Sequence, residues 1–292
     1  MHGLIVVNKP VGLTSRDVVD RVKRLVRPAK TGHTGTLDPI ASGVLVVCVG
    51  DATRLSEYIL QKPKSYRGTF LLDCASQTDD AEQGYERLPQ ETSTSFDEIV
   101  SLLPEFTGDI QQIPPNYSAV KVAGQRAYKL ARRGEDINLQ PRTVSIYELK
   151  LLEFEYPRIV LEVRCGSGTY IRALGRDLAK RMGTSAVMSA LVRTSVGEFH
   201  LESGVDYQQL DQQTLASHLL PPVAAVSDLP RIEIDREETA LLRQGRFVAS
   251  RWELSAAVAD IAGVNQQGDL VAILRYDPDL GRICPVRNFS FE

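Results

Sequence analysis

The chain has 292 residues, 43% of them hydrophobic and 24% charged, with a net charge of −3. That profile belongs to folded globular proteins; it excludes disorder, collagen-like repetition and a disulfide-stapled miniprotein, and admits one large domain or two smaller ones. The longest purely apolar run, Val44–Val49, is far too short to cross a bilayer, and no basic leader precedes the apolar start. Neither a membrane span nor a signal peptide is expected.

Leu4–Val7 reads as a first strand, ended by the turn residues Asn8–Gly12. Thr14 then offers an N-cap with Asp17 in the first turn, and Val18, Val19, Val22, Leu25 and Val26 recur at helical spacing up to Pro28. The other face of that helix carries Arg16, Arg21, Lys23, Arg24 and Arg27. Residues 30–43 form a polar segment with three glycines and Pro39, running directly into a strand over Val44–Val49. Gly50–Thr53 restarts a helix through Leu60. Ser65–Asp73 reads as a strand with Tyr66, Gly68, Phe70 and Leu72 on one face.

An acidic loop over 75–95 follows, then a short helix Phe96–Leu103 and a loop or edge segment Ile110–Gln125 containing Pro114 and Pro115. A short basic helix, Tyr128–Arg133, stops at Gly134. Val144–Phe154 and Ile159–Cys165 read as strands. Thr169–Met182 is expected as a helix ended by Gly183, with Ile171, Leu174 and Leu178 apolar and Arg172, Arg176 and Lys180 as a basic stripe. Residues 194–230 show little pattern and read as linking, and 231–292 contains β-rich stretches such as Val271–Leu274.

Charge alternates along the chain. Residues 1–70 carry a net +6, 71–120 −9, 121–193 +7 and 194–292 −7. Basic blocks that meet in space would line a phosphate-binding cleft on an acidic protein. Cys48, Cys74, Cys165 and Cys284 form no C-x-x-C pair and read as reduced thiols of a cytoplasmic protein. The four histidines form no cluster of metal-ligand spacing, so no metal is expected.

Asp38 is the candidate for chemistry. Pro39 turns it out of the helical region, and the apolar strand behind gives its loop a rigid support. A carboxylate so placed can act as a nucleophile at an electrophilic carbon of a sugar or base, provided that it stays charged. The glycines of the loop follow neither nucleotide-binding pattern, and no G-x-S-x-G elbow is present. A paired-carboxylate glycosidase would need a second acid, and nothing selects one among Asp73, Asp79 and Asp80.

The segment Gly32–Pro39 with Ala41–Leu45 resembles the catalytic motif of the pseudouridine synthases, and more narrowly of their bacterial TruB branch. Asn8–Pro10 with Gly12, Thr14 and Ser15, then Pro114–Lys121 with Gly124 and Tyr128, then Gly166–Arg172 resemble further motifs of that family in the same order. The likeness spans about residues 3–195. It implies an α+β fold: a pseudouridine synthase fold with a mixed, largely antiparallel central sheet flanked by helices, plus a small β-rich C-terminal PUA-like module. The implied division is a catalytic domain 1–193 with a thumb-like segment 114–135, a linking region 194–230 and an RNA-binding module 231–292.

The implied activity is isomerisation of uridine to pseudouridine at position 55 in the T loop of tRNA, by base flipping and without metal or cofactor. Asp38 would be the nucleophile, with both direct addition to the sugar and a glycal-type intermediate left open. Arg172 would pair with Asp38, and Tyr66 would stack on the target base and help to remove its C5 proton. Tyr170 would pack beneath the site, Leu191 would wall the pocket, and Lys9 would orient the N-terminal loop. His33 would fill the space left by the flipped base, and Asp80 would hydrogen-bond near the pocket. Helix 16–27 with Lys121, Arg126, Lys129, Arg132 and Arg133 would hold the RNA backbone, the latter group on a mobile thumb.

The partner so implied is the T arm of tRNA, with a monomeric enzyme that needs no protein partner or membrane. Two other classes fit the basic surfaces. One is a tRNA-folding chaperone without essential chemistry. The other is a guide-RNA-dependent ribonucleoprotein subunit, which the lack of long basic extensions disfavours.

Overall fold

The computed structural model describes the chain except residues 90–91, 123, 136, 253, 255–258 and 291–292; the parts of the expected acidic loop, thumb and terminal module at those positions lie outside the described residues. In chain order the first elements are β1 (Gly3–Lys9), α1 (Ser15–Leu25), β2 (Thr31–His33), β3 (Ala41–Val49), α2 (Ser56–Gln61) and β4 (Lys64–Leu72). A small hairpin, β5 (Cys74–Ala75) with β6 (Glu86–Arg87), precedes α3 (Phe96–Leu102) and β7 (Gly108–Gln112). A second hairpin, β8 (Lys121–Val122) with β9 (Gln125–Arg126), leads into α4 (Ala127–Ala131). Then come β10 (Arg142–Glu155), β11 (Arg158–Cys165), α5 (Ile171–Arg181), β12 (Ala186–Val196), β13 (Phe199–His200) and β14 (Val205–Asp206). The expected helix from Gly50 begins as a tight 3₁₀ turn over Gly50–Leu55 before α2.

Ten strands make one sheet in the order β14-β1-β3-β12-β4-β11-β10-β7, with β2 beside β3 and β13 beside β12. Only β1–β14 and β3–β12 pair in parallel, so the sheet is mixed and largely antiparallel, as expected. Period-two burial explains it: on β4, Lys64, Tyr66, Gly68, Phe70 and Leu72 all point inward. Helix α5 packs on that face, and it does so at very close range. A Cβ at Gly175 would lie 2.1 Å from the Phe70 ring, so only glycine admits the helix there.

Beyond residue 193 the sheet continues, because β14 pairs with β1 through Val205↔Val7 and β13 pairs with β12. Strands of two residues are too short to show periodicity, which is why 194–230 carries no visible pattern. Ala225 and Val226 of that segment are buried with Leu4, Val6, Val44 and Ile59.

The C-terminal part contains β15 (Arg231–Glu233), α6 (Arg236–Arg243), β16 (Val248–Ala249), β17 (Ile261–Val264), β18 (Leu270–Asp277) and β19 (Arg282–Asn288). Its five strands form a separate sheet in the order β15-β17-β18-β19-β16. That sheet has a core of its own around Ile234, Leu242, Leu274 and Ile283. It also shares one: Ala262, Leu270, Ile273 and Phe289 pack into the apolar set that holds Leu4 and Val6. Polar ties follow the same seam, with the Tyr58 hydroxyl donating to Asp260 at 2.8 Å and Arg54 Nη1 donating to the Asn288 carbonyl at 2.7 Å.

Candidate active site

Asp38 lies in the loop between β2 and β3, and the loop is tied at several points. Thr14 caps α1 reciprocally with Asp17, which fixes Ser15 at the helix start. The Ser15 hydroxyl donates to the Leu37 carbonyl at 3.1 Å and accepts from the Leu37 N–H at 2.8 Å. The Gly12 N–H donates to the Pro39 carbonyl at 2.8 Å, and the Ala41 N–H closes a turn on the Asp38 carbonyl at 3.0 Å. At the far end of the loop, Gly43 has φ +101°, and a Cβ there would sit 2.2 Å from the Arg193 carbonyl oxygen. Glycine is required at this crossing.

Arg172, the second residue of α5, spans two carboxylates. Its Nη2 stands 3.0 Å from Asp38 Oδ2 and its Nη1 3.2 Å from Asp80 Oδ2. The same guanidinium donates to the carbonyls of Thr78 at 2.8 Å and Tyr117 at 3.1 Å. The side chains of Arg172 and Asp80 are 8% and 4% exposed, whereas that of Asp38 is 38% exposed. Asp80 is thus an internal anchor, and Asp38 is the carboxylate that opens outward. Asp80 also accepts from the Thr78 hydroxyl at 2.7 Å and the Glu82 N–H at 3.2 Å. Its backbone is sewn to β12 by the Ala81–Met188 and Met188–Asp79 hydrogen bonds, both 3.0 Å.

These groups face a cleft of about 300 Å³ whose walls include Asp38, Tyr66, Tyr170, Arg172 and Leu191. Burial pushes the Tyr66 phenol above its ordinary value, so it is held neutral. Tyr170 is set by Gln112 at the end of β7, which accepts from the Tyr170 N–H at 2.8 Å and donates to its carbonyl at 3.1 Å. The Arg142 guanidinium stacks 4.7 Å over the Tyr170 ring.

Lys9, at the end of β1, is fully buried and donates its ammonium to the carbonyls of Pro10 and Leu13 at 2.9 and 2.6 Å. Burial pulls it down to about 8, a shift opposed by the charge of Asp38 and reinforced by that of Arg193. His33, ending β2, lies outside the cleft lining. Burial, then the Arg193 charge, holds its imidazole below the ordinary value.

The thumb-like segment divides. Tyr117, Ser118 and Ala119 line the cleft, while Lys121, Arg126, Lys129 and Arg132 stand exposed on the β8–β9 hairpin and around α4, outside it. The expected basic face of α1 is partly taken up within the protein. Arg21 donates to the carbonyls of Leu210 at 2.7 Å and Gln208 at 3.2 Å and stacks 4.7 Å from the Tyr207 ring, so it is not a free phosphate contact. The expected stripe on α5 divides too: Arg172 turns inward and Arg176 pairs with Asp79 at 2.8 Å.

Sequence reading passed over Arg193, Lys64 and Gln112, which are buried around this cleft. A signal existed for Arg193. It stands two residues from Leu191 on β12, so the two share a face, and a charge on a buried strand face is rare unless its group is held.

The TruB family pseudouridylate synthase N-terminal domain matches residues 23–171. The tRNA pseudouridine synthase B of Bradyrhizobium diazoefficiens is 38% identical over 300 residues, covering 99% of this chain and 86% of its own length. That of Clostridium tetani is 36% identical over 274 residues, covering 94% and 95%. Among solved structures, a Cbf5–Nop10–Gar1 complex has a chain 26% identical to this one, with a TM-score of 0.75 over 99% of this chain and 84% of that one. An H/ACA ribonucleoprotein bound to a substrate RNA containing 2′-deoxyuridine shares the fold at a TM-score of 0.76 and 24% identity, covering 99% and 85%. With an Asp–Arg pair at the head of a nucleoside-sized cleft and relatives matching along almost its whole length, the chain belongs to the TruB family of pseudouridylate synthases.

Proposed function

We propose that the chain isomerises uridine to pseudouridine in tRNA, at position 55 of the T loop. The observation that carries this reading is the Arg172–Asp38 pair, 3.0 Å apart at the mouth of a cleft walled by Tyr66 and Leu191. The reaction breaks the N1–C1′ bond of uridine and makes a C5–C1′ bond. A proton leaves C5 and one is gained at N1, so the product is an isomer and no oxidant or reductant is consumed.

A uridine in a folded arm must be turned out of its stack before a side chain can reach its sugar. The cleft takes the extruded nucleoside, and Leu191 with Tyr66 holds the base. Asp38 meets the sugar as the open carboxylate, and Arg172 fixes its orientation while leaving one oxygen edge free. Tyr66 enters as the neutral phenol and would pass the C5 proton on, taking one as it gives up its own. Tyr170 supports the site from below, Lys9 holds the Pro10–Leu13 turn against the Asp38 loop, and His33 fills the vacated stack as a neutral ring. Lys121, Arg126, Lys129 and Arg132 supply exposed charge for the RNA backbone.

In this reading the unit built on the large sheet, residues 1–193 together with the strands and core residues of 194–230, carries the chemistry, and 231–292 adds an auxiliary RNA contact, in a monomer without obligatory partner. The four free thiols suit a reducing, cytoplasmic setting.

The test is an unmodified tRNA transcript incubated with the protein and mapped for pseudouridine by carbodiimide chemistry. A single new stop in the T loop is expected, and Asp38→Asn should remove it while leaving RNA affinity within about threefold, because the pair adds charge at the cleft and not along the backbone path. No product from the wild type, or turnover by Asp38→Asn, overturns the assignment.

A further inference from the structure

Among the charged side chains that line the cleft, Arg193 is the most enclosed. It is 2% exposed, and among the described residues no carboxylate lies within ion-pair distance of it. A buried guanidinium without a counter-charge is costly, and an apolar side chain of similar volume would pack there at less cost. What the guanidinium does provide is a rigid fork of donors that reaches several acceptors at once. Those acceptors sit on both sides of the nucleophile loop.

The Arg193 Nη2 donates to the carbonyl of Gly35, three residues before Asp38, at 3.1 Å. Its Nε donates to the carbonyl of Val44, on the rigid strand β3 just past the loop, at 2.7 Å. The backbone of the same residue is the surface against which Gly43 closes, and Arg193 stands opposite Gly43 on β3 and opposite Tyr66 on β4. The charge of the guanidinium also acts on the Tyr66 phenol, against the upward push of burial. One residue therefore ties the entry of the loop to the strand at its exit and stands opposite the aromatic wall of the cleft. None of these contacts reaches the reacting sugar.

We propose that Arg193 is a positioning residue: it sets the Asp38 loop against Tyr66, so that nucleophile and base platform keep one separation when the nucleoside enters. This rests on the isomerase reading above. A loop so held needs no rearrangement after binding, which places the effect in the chemical step and not in RNA affinity.

The experiment measures single-turnover rate, tRNA affinity and melting temperature for the wild type, Arg193→Met and Arg193→Lys. Arg193→Met removes the fork, and misplacement of the loop should lower the rate by about 10²-fold while tRNA affinity stays within about threefold. Arg193→Lys keeps one donor and the charge, and should recover part of that rate. The wild type serves as the control: failure there sinks the isomerase reading, whereas failure of the variants to differ from an active wild type sinks only this inference. A rate loss matched by an equal loss of affinity would make Arg193 an RNA contact. A loss in Arg193→Lys as deep as in Arg193→Met, with both melting temperatures collapsed, would make it purely structural. Each of these overturns the proposal.

Discussion

Arg172 holds two carboxylates that differ in exposure, and this difference makes a sharp prediction. Asp80→Asn keeps the volume of the side chain and a hydrogen bond to Thr78 but removes the charge enclosed beside the guanidinium. Breaking a buried ion pair by removing one partner costs about 3–5 kcal/mol, because the remaining charge is left uncompensated. Here Asp38 stays 3.0 Å from the same guanidinium, yet it is 38% exposed, so solvent screens it and it offsets only about 1 kcal/mol. The net loss is about 2–4 kcal/mol, which for a chain of this size corresponds to a fall of roughly 4–16 °C in melting temperature. Asp38→Asn, at the screened end of the same bridge, should cost under about 1 kcal/mol. Activity should run the other way: nothing remains in Asp38→Asn, whereas Asp80→Asn, with Arg172 displaced, keeps roughly a hundredth of the rate. Thermal melts of both proteins without RNA, beside single-turnover assays, test the pair. Equal melting shifts, or a larger one for Asp38→Asn, would refute the account of Asp80 as the internal anchor.

Other perturbations have similarly definite outcomes. Asp73 is buried, yet hydrogen bonds from Thr184, Thr92 and Tyr156 outweigh that burial and lower its carboxyl to about 2. Since the folded value lies below the unfolded one, its contribution of about 2 kcal/mol is complete above about pH 4 and fades as pH falls through about 2. Denaturant titrations should therefore show Asp73→Asn less stable at neutral pH and level with the wild type in strong acid. Lys9, lowered to about 8 by burial, acts with the same sign in an alkaline window: the unfolded chain binds the extra proton between about 8 and 10.5. Wild-type stability should rise over that range relative to Lys9→Met by up to about 3 kcal/mol, and parallel curves would refute the burial of that ammonium. Gly175→Ala would drive a methyl to 2.1 Å from the Phe70 ring, so α5 must shift; a stability loss of at least about 2 kcal/mol with slower turnover is expected in melts and in the single-turnover assay.

Where the sequence reading worked, a local cause was strong. The Thr14 cap with Asp17, the period-two face of β4, and the loop around Asp38 each carry their signal within a few residues. The Asp38–Arg172 contact could not be read that way, since it joins positions far apart in the chain; it entered through resemblance to a family, and the fold then brought the two groups to 3.0 Å. Arg21 shows the converse. Its helix face looks solvated from spacing alone, and only Tyr207 and Leu210, brought in by the poorly patterned segment after β12, turn it inward. Composition and spacing do not separate Asp79 from Asp80, because the two carboxylates differ in which arginine they meet, Arg176 or Arg172; the resemblance alone singles out Asp80. For Arg193 the strand spacing marks the residue but not its role: its partners are main-chain carbonyls, and carbonyls leave no mark on a residue string.

The seam between the two sheets has a practical result. Because Phe289, Ile273 and Leu270 interleave with Leu4, Val6 and Ile59, the terminal unit is no bead on a string. A protein shortened ahead of Arg231 would bare a greasy scar on its larger half. Such a fragment should self-associate and elute early from a sizing column, even if its catalytic half still folds.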